Sequence, residues 1–264
     1  MAFLNSELRS LEINEFGIAI WGGFNNLHGL IPRLADLIED SKKRASNFEE
    51  AVENDQELKR LAQKGRELNR KESWTAQEAE ELHEQGDPRA EAVTAPIIKL
   101  LLESKAKIDR IQVSTYPDLI WSSIVVRGVA QWELSLRAYC EYLALKLECA
   151  DPESVLAADY AGDVFSRFKK LIRQETSLEF DFGASQEWEE MQNHQSVRNI
   201  IVHWGGFVTG RDEERVLNFA SRSEVPLNIQ EGRVVLSAKY AQNVVECGTE
   251  FVVDFDSHLV KKYL

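Results

Sequence analysis

The sequence predicts a mainly α-helical protein, with a four-helix bundle over residues 119–264 preceded by a helical N-terminal region or arm over residues 1–118. Apolar residues recur at three- and four-residue steps along most of the chain, which is the period of an α-helix. Patterns typical of helix starts precede several of these segments. A short strand-like insert before the last helix predicts a small β-hairpin.

The N-terminal region is expected to be helical apart from short breaks. Residues 27–44 carry apolar side chains at helical spacing, and residues 89–111 repeat this pattern. Residues 46–49 and 75–78 each have the sequence of a capping box, so helices are expected to begin there. The polar stretch 49–90 predicts a solvated helical hairpin or arm, and a long-helix partner surface is the alternative.

The bundle is expected to begin after a joint at residues 112–118. Pro117 disfavours helix at the residue before it, and Asp118 can cap the helix that follows. Four apolar periodic segments then predict helices at about residues 119–148, 159–175, 186–203 and 238–262. Between the last two, residues 216–220 and 233–236 are predicted as short strands, with turn material at residues 228–232.

Composition excludes several classes of protein. The formal charge of −13 argues against a protein that coats nucleic acid through bulk positive charge. Three cysteines without a C-x-x-C pair predict no disulfide framework and a reducing compartment. No signal peptide and no apolar run long enough for a bilayer are found, so we expect a cytoplasmic protein without membrane contact. No phosphate-binding glycine motif and no zinc spacing occur, so neither cofactor nor metal is expected.

The candidate catalytic residues are Arg198, Asn199 and His203, which form R-N-x-x-x-H at the end of the third predicted bundle helix. Asn199 and His203 share a helix face, and the long Arg198 side chain can bend toward the same edge. The C-terminus of a helix favours a charged histidine, which suits proton exchange near neutral pH. Arginine supplies a permanent forked charge for a phosphate oxygen. Together these groups suffice for metal-free RNA cleavage, in which the ribose 2′-OH attacks the adjacent phosphate.

A purely structural role for the same residues is the alternative. A histidine in the last turn of a helix commonly caps carbonyl groups. Arg198 and Asn199 would then pair with acidic residues, for which the candidates are Glu133, Glu189 and Glu190.

A basic cluster on the second predicted bundle helix is a candidate RNA-binding surface. It consists of Lys169, Lys170 and Arg173, with Arg167 beside them. Such a cluster would guide RNA toward the catalytic residues, and a solvated helix face is the alternative.

The R-N-x-x-x-H motif, at the end of the third helix of a small four-helix bundle, resembles the HEPN superfamily. The first bundle helix is similar to that of the superfamily, because it is apolar with an acidic residue, Glu133, midway. The resemblance covers about residues 119–262. It implies a bundle that dimerises, so that two copies of the motif meet in one cleft.

The resemblance also implies an activity and roles for the residues. The activity is that of a metal-independent endoribonuclease, often a toxin or an antiviral abortive-infection effector, for which an antitoxin-like inhibitory protein is an expected partner. Arg198 would stabilise the transition state, His203 would act as general acid and base, and Asn199 would orient the site. Glu133 and Trp204 would lie at the cleft, where Trp204 replaces the usual small or polar residue and would narrow the site.

Two other functions stay open. Some HEPN members only bind RNA or partners, so the chain is alternatively a non-catalytic interaction module with residues 46–90 as its binding arm. A nucleotide-binding regulator that uses Arg198 for a phosphate is the third hypothesis.

Overall fold

The computed structural model describes residues 2–71, 75–87, 89–143, 164–176 and 178–263, and these residues are mainly α-helical, as predicted. The helices in these ranges are α1 (Ala2–Asn54), α2 (Gln56–Lys71), α3 (Ala76–Glu84), α4 (Arg89–Tyr142), α5 (Val164–Glu175), α6 (Gln186–Trp204), α7 (Glu213–Ala220) and α8 (Ala238–Tyr263). A 3₁₀ turn, Gly210–Asp212, precedes α7. Strands β1 (Asn228–Gln230) and β2 (Arg233–Val235) form an antiparallel hairpin with Ile229 opposite Val234. None of the described helices combines the length and the hydropathy needed to cross a membrane.

The chain divides into two compact units. Unit 1 contains Met1–Ala35 and Asp118–Leu264, and unit 2 contains Asp36–Pro117. Helices α1 and α4 each contribute residues to both units. Residues 1–35 therefore belong to the same unit as the predicted bundle, whereas the sequence alone groups them with the N-terminal arm. The division into functional domains at residue 118 stays a prediction.

Unit 1 is held together by a cluster of buried aromatic rings around Phe168 of α5. The Phe168 ring centroid lies 5.0 Å from that of Phe255 and 5.9 Å from that of Trp188. Tyr139 of α4 adds a polar contact, because its hydroxyl donates to Asp256 Oδ1 at 2.6 Å. Aromatic pairs at these separations add stabilisation beyond the area they bury. The cluster thus joins α4, α5 and α8 to the first turn of α6.

Unit 2 packs its helices through small side chains. Ala62 of α2 and Ala92, Val93 and Ala95 of α4 are buried. Gly65 of α2 lies directly against the backbone carbonyl of Ala92, where a Cβ atom would overlap it. Small residues allow such a close approach of two helix backbones. Most other residues of α2 and α3 with described burial are exposed, in agreement with a solvated helical arm.

Two predicted helix breaks are wrong. Residues 112–118 are helical, and Pro117 lies inside α4. Proline removes one hydrogen bond and strains one turn, which a 54-residue helix tolerates when the turns on both sides are regular. The capping-box sequence at 46–49 lies inside α1. The break instead falls at Asp55, whose Oδ1 accepts a hydrogen bond from the Leu58 amide at 2.8 Å. The predicted capping box of Thr75 and Glu78 is confirmed.

The predicted strand at 216–220 is also wrong, because these residues form most of α7. Val216 and Phe219 are both buried, and their spacing of three residues suits a helix face. The predicted strand at 233–236 is confirmed as β2, and its partner β1 occupies part of the predicted turn. The predicted helix ends at 144–148 and 159–163 lie outside the described residues.

We expect Gly248→Ala to lower the free energy of unfolding by about 1–3 kcal/mol, because a Cβ on Gly248 of α8 would overlap the buried indole of Trp132. Gly29→Ala is the matched control in a helix of the same unit, since a Cβ there meets nothing within 4 Å. It should be neutral or stabilising by up to about 1 kcal/mol. Urea unfolding measures both, and equal effects would contradict close packing at Gly248.

Candidate functional site

Helix α6 carries the predicted catalytic residues, and both of its ends are fixed. The Ser185 hydroxyl accepts a hydrogen bond from the Trp188 amide at 3.2 Å, which makes Ser185 the N-cap of α6. The helix ends at Gly205, whose φ of +59° favours glycine. The amide of Gly206 donates to the Ile200 carbonyl at 3.1 Å. The last turn of α6, with His203 and Trp204, is therefore held at a defined place in unit 1.

Arg198 lies on the side of α6 that faces α4. Its Nη2 atom donates to Glu133 Oε1, and Gln195 Nε2 approaches the same oxygen at 3.4 Å. The side chains of Arg198 and Glu133 are 20% and 29% exposed, so the ion pair is partly shielded from water. Of the acidic partners that the sequence offered, the structure thus selects Glu133.

Asn199 lies on a different side of the helix, one residue or about 100° further round. Its Nδ2 atom donates to Asp212 Oδ2 at 3.3 Å. The Ser196 hydroxyl donates to Asp212 Oδ1 at 3.0 Å. Asp212 thus anchors two residues of α6 from the 3₁₀ turn that follows it. We did not predict Asp212 from the sequence, because its position depends on how the chain turns back after Gly205.

His203 is exposed in the last turn of α6, as predicted. Its imidazole makes no hydrogen bond or ion pair with any described residue. Ser196, Asn199 and His203 follow each other at three and four residues, so they lie along one face of the helix. A free imidazole at this exposed helix end is accessible to an external ligand.

Trp204 is 52% exposed, and its indole lies over Gly210. A Cβ atom on Gly210 would come 3.2 Å from three atoms of that ring. Two other apolar side chains near this helix end, Val202 and Phe207, are 51% and 56% exposed. An exposed apolar surface therefore borders His203.

The structure does not join the three motif residues directly. Arg198 is bound to Glu133 of α4, Asn199 is bound to Asp212 of the 3₁₀ turn, and His203 is free of described partners. They share the C-terminal half of one helix, with Arg198 about 7.5 Å of helix rise before His203. A bound phosphodiester that spans this end of α6 would meet a cation, an amide and an imidazole.

The predicted RNA-binding cluster lies at the other end of α6. Lys169 Nζ and the Arg173 guanidinium lie 5.9 and 5.8 Å from the ring centroid of Phe182. Phe182 in turn packs on Trp188, in the first turn of α6, at 4.7 Å. Arg198 is ten residues further along the helix, which is about 15 Å. Lys169 and Arg173 therefore contact an aromatic ring far from the motif, and the exposed Lys170 belongs to the same helix.

A second histidine of α6, His194, was not predicted as a functional residue. It is fully buried, its Nδ1 lies 2.8 Å from the Tyr240 hydroxyl, and its ring packs on Trp132 and Phe219. Burial lowers the pKa of His194 to about 3. The ring is therefore neutral near pH 7, and its burial leaves it out of contact with an external RNA.

Comparison with protein-family models, curated proteins and solved structures finds no match for this chain. Function is therefore inferred from the residues and their geometry. The resemblance to the HEPN superfamily rests on one motif and on the pattern of one helix.

Proposed function

We propose that the chain is a metal-independent endoribonuclease of the HEPN type, with Arg198, Asn199 and His203 as its catalytic residues. The observation that carries the proposal is the state of His203, an exposed imidazole without a described partner at the C-terminal end of α6. A permanent cation, Arg198, lies on the same helix end. Cleavage of a phosphodiester requires a group that transfers protons and a cation that stabilises the developing negative charge, and these two residues supply them.

The proposed reaction breaks the bond between phosphorus and the 5′ oxygen of the next nucleotide. His203 removes the proton of the ribose 2′-OH, whose oxygen attacks phosphorus. The 5′ oxygen leaves with a proton from an imidazolium, and the products are a 2′,3′-cyclic phosphate and a 5′-OH. Arg198 neutralises the charge that builds up on the non-bridging oxygens. No oxidant, cofactor or metal enters this balance.

Glu133 and Asp212 hold the two other motif residues in the absence of RNA. The Glu133 carboxylate forms an ion pair with the Arg198 guanidinium, so a phosphate must share this cation or displace the carboxylate. Asp212 fixes the Asn199 amide through Nδ2, so the amide oxygen stays available to position a ribose hydroxyl or a water. The two acids thus keep the site ordered, and Glu133 limits its affinity for phosphate.

A second copy of the chain would supply a second imidazole to the same cleft. Exposed Val202, Trp204 and Phe207 border His203 and would form the apolar part of that interface. One histidine would then act as the base while its symmetry mate acts as the acid.

We expect Val202→Glu to convert a dimer into a monomer, because the charge would be buried at the proposed interface. Val253→Glu, at a residue of α8 that is 57% exposed, is the matched control and should leave the mass unchanged. Light scattering after size-exclusion chromatography measures both masses. A monomeric wild type would contradict this interface.

Incubation of the purified full chain with single-stranded RNA in EDTA tests the activity itself. Cleavage that persists in EDTA and is not accelerated by Mg²⁺ is the expected result. Absence of cleavage, or a strict requirement for added Mg²⁺, would overturn the proposal.

A toxin or an antiviral-defence effector is the proposed biological role, with an antitoxin-like protein as its inhibitor. The net charge of −13 supports an inhibitor with a basic surface and confines RNA contact to the cleft near Arg198 and His203. Growth arrest on expression of the wild type, absent for His203→Ala, is the expected result.

A non-catalytic interaction module is the second candidate, favoured by a feature of unit 2. Exposed apolar side chains follow α4 over several turns, and each is at least 46% exposed: Ile97, Ile98, Leu100, Leu101, Ile108 and Ile111. Such a surface is typical of protein-binding sites. Under this alternative, Leu100→Glu with Leu101→Glu would abolish the biological effect, whereas His203→Ala would retain it.

A further inference from the structure

Three side chains of unit 1 that carry metal-binding atoms lie close together, and none of them belongs to the R-N-x-x-x-H motif. Glu190 and His194 are four residues apart on one face of α6, and Cys247 faces them from α8. A carboxylate oxygen, an imidazole nitrogen and the thiol sulfur all lie within 4.8 Å of one another. Cys247 is 53 positions after His194 in the sequence, so no local spacing motif shows this cluster.

The buried imidazole of His194 provides an independent indication of a ligand. Its Nδ1 has a partner in the Tyr240 hydroxyl, but Nε2 has none among the described residues although it is fully buried. A buried polar atom without a partner destabilises the fold. An ion bound at Nε2 would remove this destabilisation. Tyr240 would then accept a hydrogen bond from Nδ1–H, which fixes the tautomer that leaves the Nε2 lone pair free.

The types and positions of the donors select the ion. Thiolate, imidazole and carboxylate are together the ligands of Zn²⁺, and a tetrahedral zinc site places ligand atoms about 3.4–3.6 Å apart. Binding would have to bring the three ligand atoms, which now lie within 4.8 Å of one another, to that separation. Glu190 is only partly buried, whereas His194 and Cys247 are buried. We infer that Glu190, His194 and Cys247 bind one Zn²⁺ ion, with water as the fourth ligand.

Zn²⁺ binding would replace the thiol proton of Cys247 and the present hydrogen bonds of Cys247 and Glu190. The Cys247 thiol donates to the Glu187 carbonyl at 3.5 Å, and Gln186 Nε2 donates to Glu190 Oε1 at 2.7 Å. Burial and the nearby acids Glu190, Glu250 and Glu187 raise the pKa of Cys247 well above its usual value, so the thiol is protonated near pH 7. Zn²⁺ therefore displaces one proton from sulfur. The ion replaces that proton and cross-links α6 to α8.

The role of this ion is structural, and it goes beyond the proposed cleavage reaction. The two ligands on α6, Glu190 and His194, lie eight and four residues before Arg198, whereas His203 lies five residues after it. No step of the proposed reaction uses the ion. The zinc site and the RNA cleavage are therefore tested by separate measurements. Failure of one proposal does not decide the other.

Titration of the chelator-treated full chain with Zn²⁺ and Co²⁺ tests the inference. We expect one ion per chain, a rise in melting temperature of about 5–10 °C at 100-fold excess over Kd, and a thiolate-to-cobalt charge-transfer band with Co²⁺. Glu190→Gln and Cys247→Ser should each weaken Zn²⁺ binding at least tenfold. Glu189→Gln, on the same helix as Glu190, and Cys140→Ser, on helix α4, are the matched controls. Both should bind Zn²⁺ like the wild type.

Two outcomes would overturn the zinc site. One is a cobalt complex without a thiolate band, since the buried sulfur would then not bind the ion. The other is equal affinity of Glu190→Gln and Glu189→Gln for Zn²⁺, which would place any bound ion elsewhere. Because Glu190 is partly exposed, its variant keeps the buried core intact and tests the site even where Cys247→Ser fails to fold.

Discussion

His203→Ala is expected to slow RNA cleavage by about 10²–10⁴-fold, which is the range for loss of a positioned general acid or base. His203 is exposed and has no described hydrogen-bond partner, so its removal takes away little packing and no described polar contact. The melting temperature should therefore change by no more than about 2 °C. Cleavage of a labelled RNA and thermal unfolding, measured on the same samples, separate a catalytic effect from a structural one.

His83→Ala is the matched control for this substitution. His83 is also an exposed histidine in the last turn of a helix, α3, but it lies in unit 2. It should cleave RNA at the wild-type rate. Equal rates for His203→Ala and the wild type would show that His203 only ends the helix, and the proposed mechanism would be wrong.

Arg198→Ala is expected to slow RNA cleavage, whereas Glu133→Gln is expected to strengthen RNA binding. Arg198→Ala removes the cation that neutralises the phosphate and should lower the rate by about 10³-fold or more, as for other arginines that stabilise phosphoryl charge. Glu133→Gln keeps the shape of the side chain but releases Arg198 from its ion pair. RNA affinity should then rise several-fold, because a phosphate no longer competes with a carboxylate.

The stability of the same variants gives the control. The ion pair is partly shielded, so Arg198→Ala should cost about 1 kcal/mol of unfolding free energy, far less than its effect on catalysis. Arg198→Lys keeps the charge but loses the forked geometry, and should restore only part of the rate. If Glu133→Gln lowered the rate as much as Arg198→Ala, the pair would act as a structural unit and Arg198 would have no separate role.

The helical class was predictable because it depends on a repeated local pattern, whereas the breaks between helices were not. Pro117 and the capping-box sequence at 46–49 are both ordinary signals for a break, yet both lie inside long helices. A single proline costs a few kcal/mol, which the packing of many regular turns exceeds. The strand predicted around Val216 and Phe219 was wrong for a related reason. A short apolar run fits either a strand or a helix, and only the burial of its residues distinguishes the two.

The candidate site was predictable to the extent that it lies on one helix. The motif, its position on α6, the Ser185 cap and the glycine stop follow from local sequence. The partners Glu133 and Asp212 come from other elements, and only Glu133 was among the candidates, because it is a midway acid in an apolar helix. His194 and Cys247 gave no signal, since their proximity depends on how α6 and α8 pack.

The chemical nature of the new RNA ends tests the central claim most directly. Mass spectrometry of a short RNA cut by the full chain in EDTA should find a 2′,3′-cyclic phosphate on one fragment and a 5′-OH on the other. An oligonucleotide with 2′-deoxyribose at the cleaved position should stay intact, because it lacks the attacking hydroxyl. Fragments with 3′-OH and 5′-phosphate ends, or cleavage of the deoxy-substituted position, would show attack by water and would contradict the mechanism assigned to Arg198 and His203.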